Sequence, residues 1–306
     1  MASVTLAESA KLSQDMLITG VIENIVSVNP MFEAFPFMEI EGNALGYNRE
    51  LALGDVQFLG VGGTITAKAA ATFTPVTSSL TTLIGDAEVN GLIQATRSNF
   101  TSQKAVQIAS KAKSLARKFQ DTMINGDGTA DSFSGLLTLI PAGQKITPAT
   151  NGQVLAFDRL DELMDLVKDK DGQVDYFMMP ARTIRAYYAL LRSLGGATVG
   201  DVITLPSGRQ VPSYRGVPIF RNDYIPTTQT QGTASGVCTT IFAGTFDDGS
   251  GKHGISGLTA LGNAGLRVSE IGESETKDES ITRIKMYCGL ANFSQLGVAS
   301  MGGFTN

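Results

Sequence analysis

The apolar positions of this chain change period along its length, and each change marks an element. Leu6, Ala10, Leu17, Val21, Ile25 and Val28 recur at helical spacing. They predict one or two helices over residues 5–28, broken near Gly20 and ended by Pro30. Residues 31–40 are aromatic and apolar (Phe32, Phe35, Phe37) and are expected to anchor the N-terminal stretch on a surface. Strand formers then dominate residues 42–53 and 64–83, on either side of a glycine-rich tip at 54–63. Arms of about a dozen residues reach roughly 40 Å at the usual strand rise. An isolated two-stranded hairpin is marginal in water, so an arm this long needs a neighbour to lie on. A further strand is predicted over 80–89.

The period then lengthens. Residues 99–124 predict one long helix, with Asn99 as N-cap and Asn125-Gly126 as its stop. Ile108, Ala112, Leu115, Phe119 and Met123 fall on one stripe, the expected buried seam. Lys104, Lys111 and Lys118 flank it on one side, Lys113 and Arg117 on the other. Gln103, Gln107, Ser110, Ser114 and Asp121 fall on the back. Residues 126–152 are loop-rich, and a compact α/β region follows. It reads as a helix over 157–170 (Leu160, Leu163, Met164 and Val167 inward), a strand over 175–179, and a helix over 181–194. Pro180 starts that second helix and Gly195-Gly196 ends it. Residues 205–209 read as a turn between strands, 216–221 and 238–243 as further strands, and 227–236 as a flexible surface loop. Two antiparallel strands, 266–271 and 281–293, are joined by an acidic turn. The class is α+β.

Charge sharpens this pattern. The net charge of -5 argues against general duplex binding by the whole surface. The charge is also segregated. Arg97 to Gln120 holds six bases and no acid, whereas Glu270 to Glu279 holds five acids and one base, Lys277. Patches of opposite sign steer and register subunits. Bases that border a buried seam suit an acidic neighbour, because a DNA-facing helix would carry them on its open back. A low charged fraction of 17% beside 42% hydrophobic residues fits a surface partly hidden by partners.

Candidate chemistry adds little. Cys238 and Cys288 lie far apart in apolar settings and read as buried thiols. The one histidine, His253, sits in a glycine-rich loop with no triad partner, and residues 249–253 lack the spacing of a phosphate loop. Residues 126–131 read as a polar turn, without the downstream glutamate of a calcium loop. No zinc spacing occurs. The early apolar run at 16–22 is too short to span a bilayer, and no basic start precedes it, so neither a secretion signal nor a membrane association is expected. Catalytic, cofactor-binding and metal residues are therefore expected to be none, and an enzyme is not expected. An α/β hydrolase built on the middle region would need a nucleophile and base that are not marked.

The order of parts resembles a tailed-phage major capsid protein of the Hong Kong 97-type fold, over nearly the whole chain. Local strings carry the resemblance. Asn125-Gly126-Asp127-Gly128 followed by Phe133-Ser134-Gly135-Leu136 is similar to the exit from the family's spine helix. The run from Tyr176 to Thr183 is similar to the strand-to-helix step of its axial domain. Leu205-Pro206, Gly216 to Phe220 and Asp223 are similar to the hairpin that follows. The resemblance implies an N-terminal arm at 1–40, an extended loop at 41–82, and a peripheral domain at 83–149 and 264–293 with its spine helix at 99–124. It implies an axial domain at 150–263, to which residues 294–306 return.

The implied function is self-assembly into hexamers and pentamers of an icosahedral virion shell, built in the host cytoplasm and enclosing double-stranded DNA without reading its sequence. The implied partners are a portal protein, a decoration protein and, since no charged coiled-coil extension precedes the arm, a separate scaffolding protein. The encapsulins, bacterial nanocompartment shells of the same fold, are the rival resemblance. Intersubunit contacts are expected at Arg49, Lys68, Lys104, Lys111, Lys113, Arg117 and Lys118, and at Glu270, Glu273, Glu275, Asp278 and Glu279. Some members crosslink a loop lysine to an asparagine. Lys68 and Asn292 are the conceivable pair here, but no catalytic signature accompanies them and no crosslink is expected.

Overall fold

The computed structural model describes residues 30–97, 103–129, 131–167, 173–193, 202–261 and 266–305. Among these residues the strands form sheets of five, eight and two. The helices predicted over 5–28, the Asn99 cap and the Gly195-Gly196 stop lie outside the described residues.

The five-stranded sheet is built on the long strand Glu279–Asn292. Thr81–Asn90 runs antiparallel along one edge, from Asn90 opposite Glu279 to Thr81 opposite Cys288. Leu266–Glu273 and then Ile255–Ala260 occupy the other edge. The acidic turn joins Leu266–Glu273 to Glu279–Asn292, as the sequence predicts. Buried Thr282, Ile284, Met286 and Cys288 alternate with half-buried neighbours, the period-two pattern of a sheet packed on one face. The long helix, Gln103–Asn125, covers that face. Its predicted seam is buried throughout, and Ile108, Ala112, Leu115, Phe119 and Met123 share one cluster with Ala87, Ile284 and Met286. The helix stops where expected. The Gly126 amide donates to the Thr122 carbonyl at 2.8 Å, and a Cβ at Gly126 would stand 2.2 Å from the Phe133 carbonyl oxygen. Only glycine admits that approach.

The aromatic segment after Pro30 anchors as predicted. Phe32 and Phe37 place their rings 5.6 and 6.1 Å from Phe119 of the long helix, and Phe35 meets Phe246 at 5.9 Å. Phe37–Ile40 also adds a parallel strand beside Ile255–Ala260, a pairing that periodicity over four residues could not announce.

The eight-stranded sheet runs, in spatial order, Lys145–Ile146, Val298–Phe304, Ala234–Gly244, Tyr176–Met179, Val217–Arg221, Gln210–Tyr214 and Val202–Thr204. Gln229–Gln231 pairs onto Ala234–Gly244, so the loop predicted over 227–236 is a hairpin. Tyr176–Met179 is buried at every position. Tyr176 and Met178 face the cluster beneath the long helix, whereas Phe177 and Met179 face the helices Phe157–Leu166 and Ala181–Ser193. A strand covered on both faces reads as a continuous apolar run. The helix predicted to 170 ends at Leu166, and Val167 is already extended, with ψ at 109°. The C-terminal strand Val298–Phe304 enters this sheet beside Ala234–Gly244. The fold is α+β as expected.

Candidate assembly surfaces

The third sheet is an arm. Ala44–Ala52 pairs antiparallel with Thr72–Ser79, from Ala44 opposite Ser79 to Ala52 opposite Thr72, and among the described residues neither strand pairs with any other. The second strand is shorter than its prediction over 64–83: it starts at Thr72, and a new strand starts at Thr81. Residues 53–71 form the tip instead, and the Gln57 amide ties it together. Its Oε1 accepts from the Thr66 amide at 2.9 Å, the Thr66 hydroxyl at 2.6 Å and the Ala67 amide at 2.7 Å, while its Nε2 donates to the Thr64 carbonyl at 3.1 Å. The Asp55 amide reaches the Ala69 carbonyl at 3.0 Å. This folded tip carries apolar side chains in open solvent: Val56 is 95%, Phe58 107% and Val61 113% exposed. Lys68 is exposed on the same tip.

The arm is fastened at its base. The Tyr47 hydroxyl donates to the Asn292 carbonyl at 2.9 Å, and Arg49 donates through Nη2 to the same oxygen. Arg49 Nε also donates to the Phe293 carbonyl at 3.3 Å, and the Tyr47 ring meets Phe293 edge-on at 5.1 Å. Arg49, expected at a subunit contact, is therefore engaged within its own subunit. Asn292, the conceivable crosslink acceptor, is buried at the end of its strand.

The charged segments come partly together in one chain. Lys104 pairs with Glu270. Lys118 approaches Asp121 at 3.4 Å, and Lys277 approaches Glu279 at 3.7 Å. Glu273, Glu275 and Asp278 stay exposed on the turn. Lys111 stands near enough to Asp86 to contribute to lowering its pKa, after the larger effect of the Arg283 hydrogen bonds. Those bonds are bidentate, at 2.8 and 2.7 Å, across the strand pair where Asp86 lies opposite Arg283. Lys113 and Arg117 have no ion partner among the described residues. The expected mutual attraction of helix and turn is thus satisfied at one point inside the subunit, leaving Lys111, Lys113 and Arg117 and three acids without an ion pair among the described residues.

The remaining candidates behave as structural groups. Asp127 accepts from the Thr129 hydroxyl at 2.5 Å, the Ser132 hydroxyl at 2.8 Å and the Thr129 amide at 3.1 Å, which hold its pKa down at about 2. It shapes the polar turn after the long helix. Cys238 and Cys288 are free and buried, and burial pushes the Cys288 thiol up to about 12. No helix among the described residues is long and apolar enough to cross a membrane. Sequence reasoning missed Tyr47, Gln57, Asp86 and Arg283, whose partners lie on other segments. Only Tyr47 and Arg49, two residues apart on one strand face, left a trace in the pattern.

No protein-family model and no curated protein matches the chain. Solved structures do. The encapsulin of the holo-SrpI complex from Synechococcus elongatus matches with a TM-score of 0.69 at 19% identity, over 90% of this chain and 87% of that one. The capsid of a native GTA particle matches with a TM-score of 0.62 at 16% identity, over 89% and 88%. The Mycobacterium phage Bobi structure matches with a TM-score of 0.57 at 13% identity, over 88% of each chain. The chain has the Hong Kong 97-type capsid fold, which phage capsids and encapsulins share.

Proposed function

We propose that this protein is the major capsid protein of a tailed bacteriophage, assembling as hexamers and pentamers into the icosahedral shell that encloses double-stranded DNA. The fold supports a shell protein. The observation that carries assembly is the arm: two strands paired only with each other, ending in apolar side chains fully exposed to water. Several large apolar side chains exposed on a structure with no core of its own mark a surface covered by a partner. The arm is the extended loop, the long helix the spine of the peripheral domain, and the eight-stranded sheet the axial domain that the C-terminal strand rejoins. Arg117, Lys113 and the exposed acids of residues 273–278 serve contacts between subunits. Portal, scaffolding and decoration proteins are the partners of this reading, and its place is the virion.

The similarity to an encapsulin favours a second reading, a bacterial nanocompartment shell enclosing an enzyme. Negative-stain microscopy of the purified protein tests assembly: icosahedral shells or flat hexamers are expected, and monomers under all conditions would sink both readings. The contents of particles from the native source separate the two. Nuclease-protected double-stranded DNA supports the phage head, and a stoichiometric protein cargo without DNA replaces it with the compartment.

A further inference from the structure

Three asparagines of this chain are followed directly by glycine: Asn90-Gly91, Asn125-Gly126 and Asn151-Gly152. Such a pair can modify itself. The glycine amide nitrogen attacks the asparagine Cγ, its proton leaves with the side-chain nitrogen as ammonia, and a cyclic succinimide forms. Glycine favours the step because it has no Cβ to crowd the attack. Water then opens the ring at either carbonyl and gives aspartate or isoaspartate. The reaction needs a glycine amide that is free to lose its proton and to approach Cγ.

The fold separates the three pairs. The Gly91 amide donates to the Asp278 carbonyl at 3.0 Å, and the Gly126 amide to the Thr122 carbonyl at 2.8 Å. The Gly152 amide donates to no acceptor among the described residues. Exposure does not explain the difference, since Asn125 and Asn151 are both exposed. Their side chains also differ. Asn125 Nδ2, the nitrogen that must leave, is held by Asp121 Oδ1 and the Tyr224 carbonyl, both at 2.9 Å. Asn151 Nδ2 has no partner among the described residues, while its Oδ1 accepts from the Thr233 amide at 3.2 Å. A backbone donor on that oxygen stabilises the negative charge that develops there during attack. Asn90 Oδ1 has such donors too, the amides of Leu92 at 3.0 Å and Ile93 at 3.4 Å. The unengaged glycine amide is therefore what sets Asn151 apart from both other sites.

We propose that Asn151-Gly152 is a self-modification site, converting spontaneously to aspartate and isoaspartate in the folded subunit while Asn90 and Asn125 keep their amides. The consequence falls on the C-terminal strand. Gln153 follows the pair directly, and its amide donates to the Gly303 carbonyl while its carbonyl accepts from the Thr305 amide, both at 2.8 Å. Isoaspartate adds a methylene to the main chain just before these two bonds and disturbs their register. The modification concerns one chain alone and holds whichever kind of shell the subunit builds.

The test uses the full purified chain, held folded in mildly alkaline buffer, with a parallel sample in urea. Peptide mass spectrometry follows the mass gain of amide-to-acid conversion at each asparagine against a time-zero sample. In urea, where no amide is protected, all three sites are expected to convert at similar rates. In the folded chain Asn151 is expected to convert faster than Asn90 and Asn125 by about tenfold or more, because those two must first break a hydrogen bond. N151Q, whose longer side chain closes a less favourable ring, is expected to keep its amide under the same folded conditions. In the isoaspartate fraction, hydrogen exchange at the Thr305 amide is expected to speed up several-fold. Conversion of Asn90 or Asn125 as fast as Asn151 in the folded chain, equal conversion of N151Q, or an intact Asn151 over a period that converts it in urea would each overturn the proposal. Unchanged exchange at Thr305 would overturn the consequence drawn for the C-terminal strand.

Discussion

The strand Tyr176–Met179 and the arm at residues 44–79 are both rich in strand formers, yet they treat their apolar side chains in opposite ways. Every side chain of Tyr176–Met179 is buried, with one cluster on each face. The arm pairs only with itself, and Leu51, Phe58 and Phe73 stand mostly in solvent. A buried strand stabilises the subunit in which it lies. An exposed apolar arm adds little to that subunit and stabilises what covers it. Stability and assembly are therefore separable by mutation in this molecule, region by region.

The sharpest way to break that comparison is to truncate one large side chain in each region. Phe177→Ala empties a site buried on both faces and is expected to cost about 3–5 kcal/mol in urea unfolding. Phe58→Ala in the arm is expected to leave unfolding within about 0.5 kcal/mol of wild type while abolishing particles in electron micrographs. Substantial destabilisation by the arm variant would show that the arm packs on its own subunit.

The base of the arm is the next test. Arg49→Met removes the hydrogen bonds to the Asn292 and Phe293 carbonyls and leaves Tyr47 as the main fastening. Limited proteolysis within residues 53–71 is expected to speed up several-fold, with the melting temperature of the subunit nearly unchanged. Unchanged cleavage would mean that the strand pairing alone fixes the arm.

Charge reversal on the long helix should have a smaller effect. Lys111→Glu with Lys118→Glu is expected to reduce the yield of shells and leave the circular dichroism spectrum of free subunits intact. Because surface charges are screened, added salt should lessen the difference between variant and wild type. Normal shell yield at low salt would remove the helix flank from the assembly surfaces.

The smallest effect concerns Asp127, which acts within the subunit. Its pKa is held down at about 2 by the hydroxyls of Thr129 and Ser132, then by the Thr129 amide. A depressed carboxylate pKa stabilises the folded state above the unfolded value of 3.8, and the contribution fades as pH falls from there through about 2. Asp127→Asn should therefore melt slightly below wild type at pH 6, with the gap shrinking by pH 2.5. A gap that stays constant with pH would assign the effect to shape rather than charge.

Local pattern carried much of the fold. The seam of the long helix was legible because Ile108, Ala112, Leu115, Phe119 and Met123 keep helical spacing over four turns, and Gly126 marks a stop that only a glycine permits. Tyr176–Met179 was legible as an unbroken apolar run. The arm tip was not, because the Gln57 amide organises residues 53–71 through hydrogen bonds that leave no hydrophobic period. The hairpin of Gln229–Gln231 was hidden for the same reason, being short and polar. The candidate contacts were legible as charge segregation, but their pairing was not. Lys104 and Glu270 lie 166 residues apart and meet within the subunit.

The sequence by itself determined the alternation of arm, long helix, α/β region and closing strands, together with the basic and acidic segments, because periodicity and charge are local properties. Only the tertiary structure decided which of those charges are already paired, and that Tyr47 and Arg49 fasten the arm to carbonyls more than 240 positions away. Such contacts depend on the packing of distant segments against one another, and no spacing along the chain encodes which donor will find which acceptor.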